Sequence, residues 1–68
     1  MISDFEKIFN IIKNKGIKLY RKEIRNYNKS EYAVVKNNFI SINSHIDLEV
    51  ARTEFKFNDA GKLIDIHV

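Results

Sequence analysis

EYAVVKNNFISIN, residues 31 to 43, decides the fold, because apolar and polar side chains alternate on both sides of a two-residue break. Asn37 and Asn38 tolerate positive φ, and as the central residues of a type I′ turn they would join two strands into a hairpin. The apolar side chains then share one face, since this register pairs Val35 with Ile40 and Ala33 with Ile42.

The opposite face of this hairpin is mixed, with Tyr32, Val34, Lys36, Phe39 and Ser41. One short helix cannot cover both faces, so a partner or a neighbouring molecule would cover the second. The last strand of the chain could in addition leave an open edge. A homodimer that buries one of these surfaces is therefore compatible with the sequence.

Upstream of the hairpin, residues 4 to 15 have the pattern of an amphipathic helix. Ser3 followed by Glu6 forms a capping box, and Gly16 is placed to adopt the left-handed conformation that ends a helix. The apolar residues recur at helical spacing and form one stripe, made of Phe5, Ile8, Phe9 and Ile12.

Residues 17 to 24 fit either a strand or a continued helix. The glycine at position 16 and the lost phase of the apolar stripe favour a strand, with Ile17 and Leu19 facing the core. The side chains that point the other way are then Lys18, Tyr20, Lys22 and Ile24. NYNKS, residues 26 to 30, has the composition of a turn.

Two interpretations stay open for residues 44 to 54. The alternation of apolar residues predicts a strand, with a bulge or a short turn near Ala51 and Arg52 where the apolar parity shifts. Alternatively, a helix begins at Ser44, and Asp47 completes its capping box.

The final residues, 53 to 68, are two alternating runs joined by NDAG. This loop fits a type I turn with Gly61 in the left-handed conformation. A glycine bulge would place Lys56 opposite Ile64, whereas a four-residue loop would place Phe55 there.

These elements predict a single small α+β domain, residues 1 to 68, in which an N-terminal helix packs on a four- or five-stranded antiparallel meander sheet. The absence of cysteine excludes a disulfide framework and fits a reducing compartment. Apolar runs are far shorter than a membrane span, and the first residues lack the pattern of a signal peptide. We therefore expect a cytoplasmic protein that does not bind membranes.

Charge is segregated along the chain. Residues 1 to 30 contain eight basic and three acidic side chains, whereas residues 31 to 68 contain four and six. Basic side chains next to an exposed aromatic ring suit phosphate contact with base stacking, or an acidic protein surface. The candidate binding residues, all within residues 13 to 29, are Lys13, Lys15, Lys18, Tyr20, Arg21, Lys22, Arg25 and Tyr27.

No residue pattern indicates catalysis, a metal or a cofactor. His45 and His67 lie 22 residues apart in a chain without cysteine, so the spacing of a metal site is absent. Ser44, His45 and Asp47 have the residue types of a nucleophilic triad, but neighbours on a strand face opposite sides. With two glycines in the whole chain, no phosphate-cradling loop can be drawn. We expect a protein that is not an enzyme.

Two functions remain as hypotheses. Ile, Lys and Asn make up 28 of the 68 residues, a bias typical of AT-rich coding. Small cysteine-free chains of this kind are often phage or mobile-element proteins. We therefore expect binding to a larger protein with an acidic surface, which inhibits or modulates a host macromolecule. The alternative is nucleic-acid binding through residues 13 to 29, which the acidic second half opposes.

Overall fold

A computed structural model describes residues 2–22, 31–46 and 49–68 of the chain, and these contain one helix and one five-stranded sheet. The elements are α1 Asp4–Asn14, β1 Lys18–Tyr20, β2 Glu31–Lys36, β3 Phe39–Ile46, β4 Glu49–Phe57 and β5 Leu63–His67. The predicted α+β class is confirmed. The turn expected at residues 26–30 lies outside the described residues.

The strands lie side by side in chain order, from β1 at one edge to β5 at the other. β2 to β5 pair antiparallel, but β1 runs parallel to β2, with Tyr20 opposite Val34. The prediction of a purely antiparallel meander is therefore wrong at this one pair. A parallel neighbour needs a longer connection than a hairpin turn, and residues 21–30 separate these two strands.

β1 is shorter than the strand predicted over residues 17–24, because Arg21 already follows its last residue. Leu19 pairs with Ala33, which is in the core, and Ile17 packs against that core, as expected for a strand. The alternative of a continued helix is wrong.

The hairpin of β2 and β3 has the predicted register, with Lys36 opposite Phe39 on either side of the two asparagines. Asn38 adopts a positive φ of 61°, but Asn37 does not. A type I′ turn needs positive φ at both positions, so the predicted turn type is wrong although its place is right. The predicted apolar pairs, Val35 with Ile40 and Ala33 with Ile42, are both present.

β3 and β4 form a regular ladder that ends with Ile46 opposite Glu49. The chain therefore reverses between these two residues. The bulge or turn predicted near Ala51 and Arg52 is wrong, because the ladder is continuous there. The apolar side chains change from even to odd positions because the chain already reverses between Ile46 and Glu49.

The alternative helix for this region is also wrong. Ser44, its predicted first residue, lies within β3 and pairs with Glu31 on one side and Ala51 on the other. Asp47, which would have completed the capping box, lies outside the described residues.

Both registers predicted for the final hairpin are wrong. They place Lys56 or Phe55 opposite Ile64, whereas Ile64 is the extra residue of a bulge in the ladder between β4 and β5. Phe55 lies opposite Ile66 instead, so apolar side chains still share one face of the sheet.

α1 begins and ends close to where its capping signals predict. The Ser3 hydroxyl oxygen accepts a hydrogen bond of 3.2 Å from the Glu6 backbone N–H. Lys15 is the C-terminal cap, and Gly16 follows with φ of 72°, the left-handed conformation that ends a helix.

The core lies between α1 and one face of the sheet, which we call the helix face. Its most buried residues are Ile12, Ala33, Ile40 and Phe57. The Phe5 ring meets the Phe57 ring edge-on, at 5.1 Å between centroids. Partly buried side chains complete the core, namely Phe5, Ile8, Phe9, Ile17, Val35, Ile42, Phe55 and Leu63.

Two hydrogen bonds tie the start of α1 to the loop before β5. The Phe5 N–H donates to the Gly61 carbonyl at 2.9 Å, and the Leu63 N–H donates to Asp4 Oδ2 at 2.9 Å. Gly61 has φ of 82° as predicted, and a Cβ there would lie 2.8 Å from the Ser3 Cβ. Glycine is therefore required at this contact for both its conformation and its size.

Gly61→Ala should lower the free energy of unfolding by about 3 kcal/mol, through the left-handed backbone and the clash with the start of α1. Gly16→Ala is the matched control, because Gly16 also has positive φ but a Cβ there meets nothing within 4 Å. It should cost about 1 kcal/mol. Urea unfolding of both variants measures the difference, and equal losses would contradict the proposed close contact.

Candidate functional site

A groove lies between α1 and the end of β1, and we call it the α1–β1 groove. Its volume is about 360 Å³. The residues that line it are Phe5, Phe9, Leu19, Tyr20, Arg21, Val35, Lys36 and Asn37. It is the candidate site because it combines apolar side chains with cationic ones at the surface.

The groove exists because β2 continues past the end of its neighbour β1. The parallel ladder stops where Tyr20 meets Val34, so Val35 and Lys36 extend beyond β1. The parallel pairing places Leu19 on the helix face opposite Ala33.

α1 supplies the remaining apolar wall. Phe5 and Phe9 lie one turn apart on the same side of the helix, and their rings stack at 6.2 Å between centroids. Both rings pack against the edge of the core and are only partly buried. The apolar wall therefore continues the core out to the surface.

Two residues with cationic side chains line the groove together with this apolar wall. Arg21 directly follows β1 and Lys36 ends β2, and both side chains are exposed. Among the described residues that line the groove, none is acidic. The groove can therefore accept an apolar side chain that has a negatively charged group next to it.

A second hollow of about 350 Å³ adjoins the groove and shares Phe5, Lys36 and Asn37 with it, and its other lining residues include Glu6 and Asp59. It lies between the start of α1 and the two loops that meet there. Asn38 Nδ2 donates to Asp59 Oδ1 at 2.8 Å, and the Phe57 N–H donates to the Asn38 carbonyl at 2.9 Å. These bonds fix the hairpin tip, so that end of the groove has a defined shape.

The residues predicted as a binding site divide between the groove and its surroundings. Tyr20 and Arg21 line the groove. The Lys13 ammonium lies 5.7 Å from the centre of the Phe9 ring, a cation–π distance. Exposed lysines at the end of α1 and along β1 complete the described part of the set, namely Lys15, Lys18 and Lys22. Arg25 and Tyr27 lie outside the described residues.

Tyr20 is held by other aromatic side chains. Its ring meets the Tyr32 ring edge-on at 6.0 Å, and Tyr32 in turn lies 5.3 Å from the His45 ring. Tyr32 and His45 are buried, whereas Tyr20 is half-buried. The tyrosine is therefore not a fully exposed ring on which a base could stack.

Most of the groove was not predicted from the sequence. Phe5, Phe9, Leu19 and Val35 have the pattern of core residues, and Lys36 falls on the mixed face of the hairpin. The available signal was the apolar stripe of α1, which carries Phe5 and Phe9. The missing information was the parallel pairing of β1, which brings the stripe and the strand end together.

The face of the sheet opposite α1, which we call the far face, is buried at its centre. Ser41 and Asn43 are buried there, and the Asn43 amide donates to Ser41 Oγ at 3.1 Å. Arg52 Nε donates to Asn43 Oδ1 at 2.6 Å. Tyr32 and Val34 are also buried within the chain itself, so this part of the hairpin face is covered without a partner, whereas Lys36 on the same face is exposed.

The described residues hold no group of three histidine, acidic or cysteine side chains that could bind a metal ion. Ser44 and His45 are neighbours in β3, and successive residues of a strand point to opposite faces. Within residues 2–22, 31–46 and 49–68, no helix has the length and apolar character to cross a membrane.

No family model, curated protein or solved structure matches this sequence.

Arg52→Ala should lower the free energy of unfolding by about 1 to 3 kcal/mol, because it removes the donor to the buried Asn43 carbonyl oxygen. Lys56→Ala, on the same strand and exposed, is the control and should change stability by less than about 0.5 kcal/mol. Chemical denaturation of both variants tests this. Equal stability of the two would mean that Arg52 does not support the far face.

Proposed function

We propose that this chain is a non-enzymatic protein-binding module, which takes an apolar side chain of a larger acidic partner into the α1–β1 groove. The observation that supports this most directly is the groove's composition, an apolar wall with Arg21 and Lys36 beside it and no acidic residue among its described lining. By occupying a surface of its partner, the module would inhibit or modulate that partner.

The apolar wall supplies the binding free energy in this proposal. Leu19 is 36% exposed although it lies on the helix face, and the neighbouring phenylalanines are partly exposed. Covering apolar surface gains about 25 cal/mol per Å². An aliphatic or aromatic side chain of a partner would complete the contacts that Phe5, Phe9 and Val35 lack on their outer sides.

The distribution of charge supplies orientation. Residues 2–22, which form α1 and β1, contain six basic and two acidic side chains. The two acids, Asp4 and Glu6, stand in the first turn of α1, next to the loop before β5. The end of α1 and the β1 edge are thus strongly cationic, so an acidic surface would approach this edge first.

Three acidic side chains of the second half lie on the strands farthest from β1, whereas Glu31 begins β2 beside β1 and Asp59 bonds to Asn38 at the hairpin tip. Glu49, Glu54 and Asp65 belong to β4 and β5. Four strand spacings separate β1 from β5, roughly 19 Å. The β5 side of the sheet therefore mixes acidic and basic side chains, whereas the β1 edge is mainly cationic, which favours the approach of an acidic partner to the β1 edge.

Nucleic acid is the weaker candidate for the same edge. The lysines are exposed as phosphate contacts require, but Tyr20 packs against Tyr32 and the apolar groove has no role in binding phosphate. A protein surface uses both the cations and the apolar wall, so it accounts for more of the site.

Peptides selected from a random display library on the immobilised chain should combine an aliphatic or aromatic residue with neighbouring Asp or Glu. Their affinity, measured by fluorescence polarisation, should fall about tenfold or more in the double variant Arg21→Glu with Lys36→Glu, because both cations beside the groove become repulsive.

Lys7→Glu with Lys62→Glu is the matched control. It makes the same change in net charge at two exposed lysines that lie together beside the start of α1, away from the groove. Equal weakening in both double variants, or selected peptides without acidic residues, would refute the groove as the site.

Titration with random duplex DNA and single-stranded RNA at two salt concentrations separates the two partner classes. We expect no binding at physiological salt. Tight binding that weakens steeply with salt and disappears in Lys18→Ala with Arg21→Ala would instead establish a phosphate-binding surface.

A further inference from the structure

The two edge strands of the sheet, β1 and β5, differ in how well they resist pairing with a further strand. β1 has three residues and carries the exposed Lys18, and short edge strands with lysine discourage pairing with another strand. β5 has five residues, Leu63–His67, and no lysine within the strand. The bulge at Ile64 interrupts this edge near its start, so the part open to a further strand is the outer side of residues 65–67, which carries no lysine.

β5 also carries the exposed apolar side chains of this edge. Ile66 is 52% exposed although it lies on the helix face opposite Phe55, and Ile64 is 63% exposed. Val68 follows the strand and is 93% exposed. α1 therefore covers Leu63 but leaves Ile64 and Ile66 uncovered.

We propose that β5 pairs with β5 of a second copy of this chain, antiparallel and with Ile66 opposite Ile66. The two five-stranded sheets would join into one sheet of ten strands. The new pair would satisfy backbone groups at the open edge and cover the exposed isoleucines.

The register follows from the sequence IDIHV, residues 64–68, which is self-complementary about its centre. With Ile66 opposite its own copy, Asp65 lies opposite His67 of the second copy, and Ile64 lies opposite Val68. Apolar residues therefore meet apolar ones, and the acidic residue meets the basic one, twice in each dimer.

The neighbouring registers are poorer. A two-fold axis at Asp65 would place two carboxylates opposite each other, which is destabilising. An axis at Ile64 would place Leu63 opposite Asp65 and Lys62 opposite Ile66. The side-chain pattern of β5 thus favours the register centred on Ile66 over these two and argues for a second copy in preference to an unrelated strand.

His67 already has an acidic neighbour in its own chain. Its Nδ1 lies 3.8 Å from Glu54 Oε1, and the two residues are paired across β4 and β5. In the dimer, His67 would lie between Glu54 and Asp65 of the second copy. The His67 imidazole can donate hydrogen bonds to carboxylates, so it suits a position between these two acidic side chains.

This inference is independent of the α1–β1 groove, which lies at the opposite edge of the sheet. The variants used for the groove leave β5 unchanged. A failure of the groove proposal would therefore not affect the dimer, and the reverse also holds.

Sedimentation equilibrium of the wild-type chain should show a mass that rises with concentration from 8.0 kDa towards twice that value. Ile66→Lys should remain a monomer, because it places two lysines opposite each other at the two-fold axis. Ile11→Lys is the matched control on the exposed side of α1, 54% exposed, and should dimerise like the wild type. A wild-type mass that stays at the monomer value would overturn the proposal.

Cysteine cross-linking tests the register, since the natural chain contains no cysteine. Ile66→Cys should form a disulfide-linked dimer under mild oxidation, because directly opposed residues have Cβ atoms about 5 Å apart. Ile64→Cys should not, because two copies of residue 64 would be roughly 13 Å apart in this register. Faster cross-linking at position 64 than at 66, with both variants folded by circular dichroism, would refute the register.

Discussion

The reversal of the chain at Asn37 and Asn38 is the constraint on which the rest of the structure depends. It fixes which residues of β2 and β3 face α1, and a shift of one residue would exchange the two faces. Because of it, Ala33 and Ile40 enter the core while Tyr32 and Asn43 lie on the far face. The hairpin tip also bonds to β4 and to the loop before β5, so the two hairpins hold each other in place.

Local signals in the sequence predicted the parts of the fold that local chemistry determines. The capping of α1 by Ser3, the left-handed Gly16 and the register across the two asparagines each depend on residues only a few positions apart. The parallel pairing of β1 was not predictable in this way. It depends on the path between Tyr20 and Glu31, for which the sequence offers no periodic pattern.

The candidate site was only partly predictable for the same reason. Arg21 and Tyr20 were identified by charge and residue type, which are visible in the sequence. The apolar wall was assigned to the core, since Phe9 and Leu19 have the pattern of buried residues and the groove forms only where β1 stops short of β2. Whether an apolar residue at the edge of a core is covered depends on the neighbouring element, which periodicity does not report.

The groove and the open strand lie at opposite edges of one sheet, and this has a geometric consequence for binding. A two-fold axis through the paired β5 strands is perpendicular to the sheet, so both helices would lie on the same side of the dimer. The two α1–β1 grooves would then lie at the ends of a ten-stranded sheet, nine strand spacings or roughly 43 Å apart along a flat sheet. Two such grooves can engage a symmetric or repeated partner together, and the second contact then forms at a high effective concentration. An 8.0 kDa chain with one modest groove would gain affinity from pairing without any additional contact in the groove itself.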